Sequence, residues 1–244
     1  MPLDVTSDHP LIVVGAGPVG LAAAAHAYER GLPVIVLEAG AAAGRSVAEW
    51  GHVQLFSPWS ELVDAAAARL LTPRGWSHPD PAGLPTGAQW VSDYLAPLAE
   101  ALLAAGVLIR TDHQVVGVAR AGRDRLVAAG REAVPFAVHV MTPQGHEVLS
   151  AAAVIDASGT WTQPGPLGAE GLAAPGEREH AERISYAMPD VQDPLVRARL
   201  AGRHVVVAGA GASAQNTLVT LGRLAEETGT RITWLLRRGD ADKA

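Results

Sequence analysis

The sequence contains no cysteine. That absence removes disulfides, thiolate metal sites, cysteine nucleophiles and any Cys-x-x-Cys redox pair together. It excludes the disulfide-reductase chemistry that uses a cysteine pair of the chain, though not a reductase serving a separate acceptor. Lysine is nearly absent too: of 19 basic residues only Lys243 is a lysine, so Schiff-base or Walker-type lysine chemistry has no candidate before it. A basic stripe is also missing. The 19 basic and 25 acidic residues leave a net charge of −6 and a pI near 5.8, which argues against a nucleic-acid partner. No uninterrupted apolar run is long enough to cross a bilayer. Pro10 to Tyr28 carries no Asp, Glu, Lys or Arg, but Gly15, Gly17, Pro18 and Gly20 interrupt it, and Asp4 and Asp8 precede it. The expectation is a soluble, cytoplasmic protein without membrane contact. What is present suits a folded globular chain: 48% hydrophobic and 18% charged residues over 244 positions supply a core for one large or two modest domains.

The hydrophobic pattern predicts an α/β fold. Leu11–Val14 reads as a buried strand, Gly15–Gly20 as a glycine turn, and the Ala-rich run to about Arg30 as a helix ended by Gly31. Pro33–Leu37 is the next buried strand, which completes a βαβ unit. A long loop from Ala39 to Ser60 leads into a helix expected around Glu61 to Leu71. Residues 72–87 are Pro/Gly-rich and irregular. An amphipathic helix follows, carrying Val91, Tyr94, Leu95, Leu98, Leu102 and Ala105 at helical spacing and kinked by Pro97. Short strand runs come next at Val107–Arg110, Val115–Ala119, Phe136–Thr142, His146–Leu149 and Ala153–Ala157, with a hairpin turn at Pro143–Gly145. Residues 162–203, rich in Pro, Gly and charge, read as a connection between domains. The opening pattern then returns: strand His204–Ala208, turn Gly209–Ala214, a helix to about Thr228, and strand Ile232–Leu236.

The two turns carry the chemistry. Gly15-x-Gly17-x-x-Gly20 gives a tight turn, close backbone approach to a pyrophosphate and close helix–strand contact, with the phosphates at a helix N-terminus. Glu38, after the second strand, can accept hydrogen bonds from both ribose hydroxyls of an adenosine. The second turn, Gly209-x-Gly211-x-Ser213-Ala214, has Ala in place of the third glycine, a change the fingerprint allows. The position equivalent to Glu38 is expected to be Arg237, followed by Arg238. A guanidinium grips a 2′-phosphate that a carboxylate would repel, so the first site suits FAD or NAD and the second NADPH.

Paired turns around a β-meander resemble the two-dinucleotide-binding-domain flavoproteins. Gly-x-Gly-x-Ser-Ala is most similar to flavin-containing monooxygenases. Glu38…Gly40…Gly44-Arg45…Trp50, Val115-x-x-Val118, and the run Val154 to Trp161 strengthen the resemblance, as do Tyr186, Pro189 and Asp190 ahead of the second turn. The resemblance implies a Rossmann-like three-layer FAD-binding domain over 1–161, an interdomain connection over 162–203, and the first βαβ unit of an NADPH-binding domain over 204–244. It implies that Gly15, Gly17, Pro18, Gly20, Glu38 and Ala39 hold the ADP part of FAD, and that Arg45 faces flavin or phosphate. Val115 would read adenine through its backbone, and Trp50, Gln54 and Ser57 would approach the isoalloxazine. Ala157, Ser158 and Gly159 would lie near the domain junction. Gly209, Gly211, Ser213, Ala214 and Arg237 would hold NADPH. The family's doubled glycine is here Ala43-Gly44.

Other signals fail. Gly211-Ala-Ser-Ala-Gln215 misses the hydrolase elbow, and His146-Glu147 is not followed by the second His of a zincin, so no metal is expected. His52 reads as a surface loop residue. Trp50, Trp59, Trp76 and Trp90 could wall a pocket, but Trp76 and Trp90 read as packing under irregular loops. The leading expectation is an FAD- and NADPH-dependent oxidoreductase that oxygenates a small molecule. Two alternatives stay open: a reductase passing electrons to another acceptor, and a truncated, non-catalytic nucleotide-binding fragment. The second follows from Ala244 falling just after one βαβ unit. On that reading the 244 residues bind FAD poorly and associate, as a homodimer or as aggregates, through uncovered apolar surface.

Overall fold

A computed structural model of the chain describes residues 4–168 and 170–236, which form two compact units divided between Gly159 and Thr160. The first unit opens with β1 (Leu11–Val14), α1 (Pro18–Glu29) and β2 (Val34–Leu37). The short helices α2 (Arg45–Glu49), α3 (Trp59–Leu62), α4 (Ala65–Leu71) and α5 (Gly87–Trp90) follow, then α6 (Ala96–Ala104). The strands β3 (Leu108–Arg110), β4 (Gln114–Arg120), β5 (Phe136–Thr142), β6 (Gly145–Ala151) and β7 (Ala153–Asp156) complete it. A parallel sheet has the order β3-β2-β1-β7, with Leu11 opposite both Val34 and Ala153. Strands β4, β5 and β6 form an antiparallel meander.

Burial explains why these pieces stack. The central strands are aliphatic and mostly buried, as parallel strands covered on both faces must be. On one face Val13 and Val36 pack with Leu21, Ala24 and Ala25 of α1, Leu70 of α4, and Leu98 and Leu102 of α6. On the other, Ile12 and Leu37 pack with Val138, Val140 and Ala151 of the meander. The result is three layers: helices, parallel sheet, meander. Each fully buried leucine in that sandwich contributes about 1.5–3 kcal/mol relative to exposure.

Two helices differ from the expectation. The helix expected around Glu61 to Leu71 is broken, because Asp64 adopts extended backbone and its carboxylate accepts from the N–H groups of Ala66 and Ala67 at 2.8 and 3.1 Å. A new helix, α4, therefore starts there. The loop from Ala39 to Ser60 contains α2, which starts after Gly44, a residue with φ +73°. Pro97 has no N–H for the carbonyl of Asp93, four residues back. The chain widens to a π turn over Val91–Leu95, and the Trp76 indole N–H donates to Asp93 O at 2.7 Å instead. The expected kink thus takes the form of a π turn stitched to a neighbouring loop.

In the second unit, α7 (Pro194–Leu200) precedes β8 (His204–Ala208), α8 (Ala212–Thr228) and β9 (Arg231–Leu235). Strands β8 and β9 are parallel, and Val207, Leu221, Leu224 and Val191 form their core. Residues 160–203, expected mostly as a connection, lie in this unit and contain α7. They are organised around Glu177, a buried carboxylate that accepts from Leu167 N–H at 3.0 Å, Ala174 N–H at 2.7 Å and the Tyr186 hydroxyl. Those donors, the Tyr186 hydroxyl foremost, hold the Glu177 carboxyl below the usual carboxylate range. The architecture is an α/β Rossmann-like three-layer domain with an inserted meander, followed by a second βαβ unit.

Candidate functional site

The carboxyl ends of β1, β2 and β7 lie side by side, and each is followed by a residue singled out from the sequence: Gly15, Glu38 and Ala157. This is where open parallel sheets bind ligands. Gly15 N–H donates to Leu37 O at 2.7 Å, and Ala157 N–H to Val14 O at 2.9 Å. Gly15 has φ +96°, and a Cβ on it would stand 2.7 Å from Ala157 O. A Cβ on Gly20 would stand 1.9 Å from Gly15 O, so α1 reaches the strand only with glycine there. Gly17 caps α1 without a side-chain bond, Pro18 occupies the first turn, and that turn holds no acidic residue. Nothing lies within 4 Å of the place a Gly17 Cβ would take. The first N–H groups of α1 therefore face an open cradle of the right polarity for a pyrophosphate.

Glu38 is fixed beside that cradle. Its Oε2 accepts from Ala16 N–H and its Oε1 from Gly40 N–H, both at 2.7 Å. Each oxygen keeps a further lone pair, so the oriented carboxylate can still accept from ribose hydroxyls. The loop after β3 clasps the same segment: Asp112 N–H donates to Gly40 O at 2.9 Å and His113 N–H to Glu38 O at 2.8 Å. Asp112 takes the left-handed conformation to do so, with φ +57°. Ala39 is exposed between these bonds. The uncapped glycine turn with an aligned carboxylate fits the ADP part of a dinucleotide.

The remaining sequence candidates fall into three places. Arg45 starts α2, lies against Gly40 and pairs with Glu49 at 3.1 Å, while Gly44 N–H donates to Ala16 O at 2.9 Å. Trp50 packs against Gly87 and lies 6.4 Å from Trp90, and Gln54 bridges Thr86 and donates to Leu84 O at 3.3 Å. Ser57 is half-buried just before α3, and His52 is exposed. Trp59, Trp76 and Trp90 pack with the helical core, and the Trp90 indole nitrogen is buried without a hydrogen-bond partner. Val115 sits at an irregularity of β4 next to Gly117. Past β7, Ser158 donates to Asp156 through its N–H at 3.1 Å and its hydroxyl at 2.6 Å, and the hydroxyl in particular holds the Asp156 carboxyl down. Gly159, with φ +67°, ends the unit. Reading the sequence missed Ala16 and Gly40 as the groups that orient the acid, and Asp112 as a support of Gly40. Gly40, two residues after Glu38, was the available signal.

The second turn repeats the first. Gly209 has φ +116°, its N–H donates to Leu235 O at 3.0 Å, and Gly211 caps α8 without a side-chain bond. Ser213 and Ala214 lie in the first turn of α8. The register corrects one assignment. Val14 pairs with Leu37 and Ala208 with Leu235, so the residue equivalent to Glu38 is Leu236, and Arg237 corresponds to Ala39. The expectation placed the strand end one residue late, because Leu236 extends the apolar run while β9 stops at Leu235. Arg237 itself lies outside the described residues. Among the described residues no helix is long and apolar enough to cross a membrane.

Residues 12–244 match the family described as Pyridine nucleotide-disulphide oxidoreductase. Comparison with curated proteins finds no match. Among solved structures the chain is similar to a bacillithiol disulfide reductase from Bacillus cereus, at 21% identity and a TM-score of 0.65 over 94% of this chain and 58% of that one. It is similar to an FAD-bound cadaverine monooxygenase of desferrioxamine biosynthesis from Erwinia amylovora, at 17% identity and 0.62 over 97% and 53%. The ornithine N-hydroxylase of Kutzneria sp. 744, solved with FAD, NADP+ and L-ornithine, gives 17% and 0.57 over 95% and 54%. Identities this low establish the fold alone. The chain spans 53% to 58% of the lengths of these three proteins. By the match over nearly its whole length, the chain belongs to the pyridine nucleotide-disulphide oxidoreductase family.

Proposed function

We propose that this chain binds FAD on its first glycine turn and NADPH on its second, as the nucleotide-binding part of an oxidoreductase that oxygenates a small molecule. The observation that carries the reading is Glu38, held by Ala16 and Gly40 beside an uncapped glycine turn. Gly15, Gly17, Pro18 and Gly20 would hold the pyrophosphate, Glu38 the adenosine ribose, and Val115 the adenine through its backbone. Arg45, Trp50, Gln54, Ser57 and the Ala157–Gly159 segment would line the path toward the flavin ring. FAD, held there, would supply the two-electron redox chemistry between NADPH and dioxygen.

The protein's own part is to bind, orient and exclude. Leu236 offers no carboxylate to repel a 2′-phosphate, and Arg237 and Arg238 follow at once, which supports NADPH over NADH. These 244 residues bring no cysteine pair to a disulfide step, which leaves the oxygenase and a reductase serving a separate acceptor. The reductase reading keeps the family description on its side. A cytoplasmic location suits either. The test is to load the chain with FAD and mix it anaerobically with NADPH or NADH. Faster bleaching of the flavin absorbance by NADPH supports the reading, and no bleaching by either coenzyme overturns it. Incorporation of labelled dioxygen into an organic product separates oxygenase from reductase, because reduced flavin consumes oxygen in either.

A further inference from the structure

A carbonyl oxygen left unengaged beside a bound pyrophosphate repels it, so the carbonyls of a phosphate-binding turn need partners within the protein. The two turns of this chain meet that need with different chemistry. In the first, backbone suffices. Gly17 O accepts from Leu21 N–H and Ala16 O from Gly44 N–H, both at 2.9 Å. Gly15 O lies against the bare Cα of Gly20, where no side chain fits. In the second, Ala214 stands where the third glycine would be, and side chains take over. The Trp234 indole N–H donates to Gly209 O at 2.7 Å, and the Gln215 amide to Ala210 O at 3.3 Å. The Gln215 backbone N–H donates to Gly211 O at 3.1 Å.

We infer that Trp234 and Gln215 are positioning residues of the pyridine-nucleotide turn, replacing the glycine contact and the backbone clamp that hold the FAD turn. The inference rests on the proposed reading of the second turn. Trp234 and Leu235 are adjacent on β9 and grip Gly209 by its oxygen and its N–H. Gln215, one turn into α8, ties Ala210 and Gly211. The carbonyls are thereby engaged, and the uncapped N–H groups at the start of α8 are left for the phosphates. Because the Trp234 indole donates to Gly209 O, its emission offers a readout at the turn.

The test uses the full chain and NADPH, followed by calorimetry and by tryptophan emission. NADPH should quench emission in the unmodified chain, and Trp234→Phe should remove much of that quenching. Trp234→Phe and Gln215→Leu should each weaken NADPH about fivefold through the lost hydrogen bond. FAD affinity should stay unchanged in both. Adding Ala214→Gly to Trp234→Phe restores the first turn's device and should recover most of the affinity, which a merely structural tryptophan would not do. Gln215 is exposed on α8, so its variant keeps the test valid if Trp234→Phe folds poorly. NADPH binding by the unmodified chain with wild-type affinity in both variants overturns the positioning role alone. Absence of NADPH binding by the unmodified chain overturns that role together with the NADPH reading.

Discussion

At the scale of single residues, the proposed coenzyme preference rests on the end of β9, where the linear pattern is one position late. Leu235 and Leu236 both extend the apolar run of β9, so only the pairing of Ala208 with Leu235 shows that Leu236 occupies the acid position. The place of Glu38 directly after β2 was legible, because it follows a buried strand and a full glycine fingerprint. Its holders were not, because Ala16 and Gly40 act through backbone N–H groups that carry no residue signature. The expected outcome of Leu236→Glu is a switch of preference from NADPH toward NADH, since the new carboxylate meets the 2′-phosphate. Arg237→Ala should remove most of the NADPH preference without improving NADH. The ratio of the two coenzyme dissociation constants reads both, and an unchanged ratio in both variants would sink the assignment.

At the scale of elements, strands and the two long glycine-opened helices were legible from local pattern, whereas breaks and short helices were not. Asp64 shows why. A helix start inside an apolar run is invisible until the capping carboxylate is seen on Ala66 and Ala67. The same carboxylate bonds the His26 ring at 3.1 Å and so ties α4 to α1, and Asp64 N–H donates to the Tyr94 hydroxyl at 3.0 Å. Burial pushes the Tyr94 phenol up to about 12. Burial also acts to raise Asp64, but the Ala67 N–H and the His26 ring outweigh it and hold the carboxyl down. A carboxylate so depressed contributes stability above its unfolded value, about pH 4, and loses it as pH falls through the folded value. Asp64→Ala should cost about 1 kcal/mol at neutral pH through the lost cap. Asp64→Asn should keep most of the cap while flattening the acid limb of the stability curve. Urea unfolding across pH measures both, and an acid limb identical in wild type and Asp64→Asn would contradict the account.

At the scale of the whole molecule, one supersecondary unit occurs twice, its glycine turns about 190 residues apart, and each copy lies in a separate compact unit. The repeat was legible because each copy is local in sequence. The knot around Glu177 was not, since its donors at Leu167, Ala174 and Tyr186 are scattered through an unpatterned segment. Glu177 is held down chiefly by the Tyr186 hydroxyl, so its contribution too is present above the carboxylate range and lost as pH falls. Glu177→Gln should make residues 160–190 more sensitive to limited proteolysis at neutral pH. Equal cleavage rates for variant and wild type would contradict that role. The two proposed nucleotide sites, one on each unit, also predict separable ligand effects: FAD should stabilise the first unit and NADPH the second. The most direct measurement is a calorimetric titration of FAD into the full chain and into its Glu38→Ala variant. The account expects one saturable site, weakened in the variant by about 1–3 kcal/mol through lost charged hydrogen bonds. No binding to the unmodified chain, or equal affinity in the variant, would contradict it.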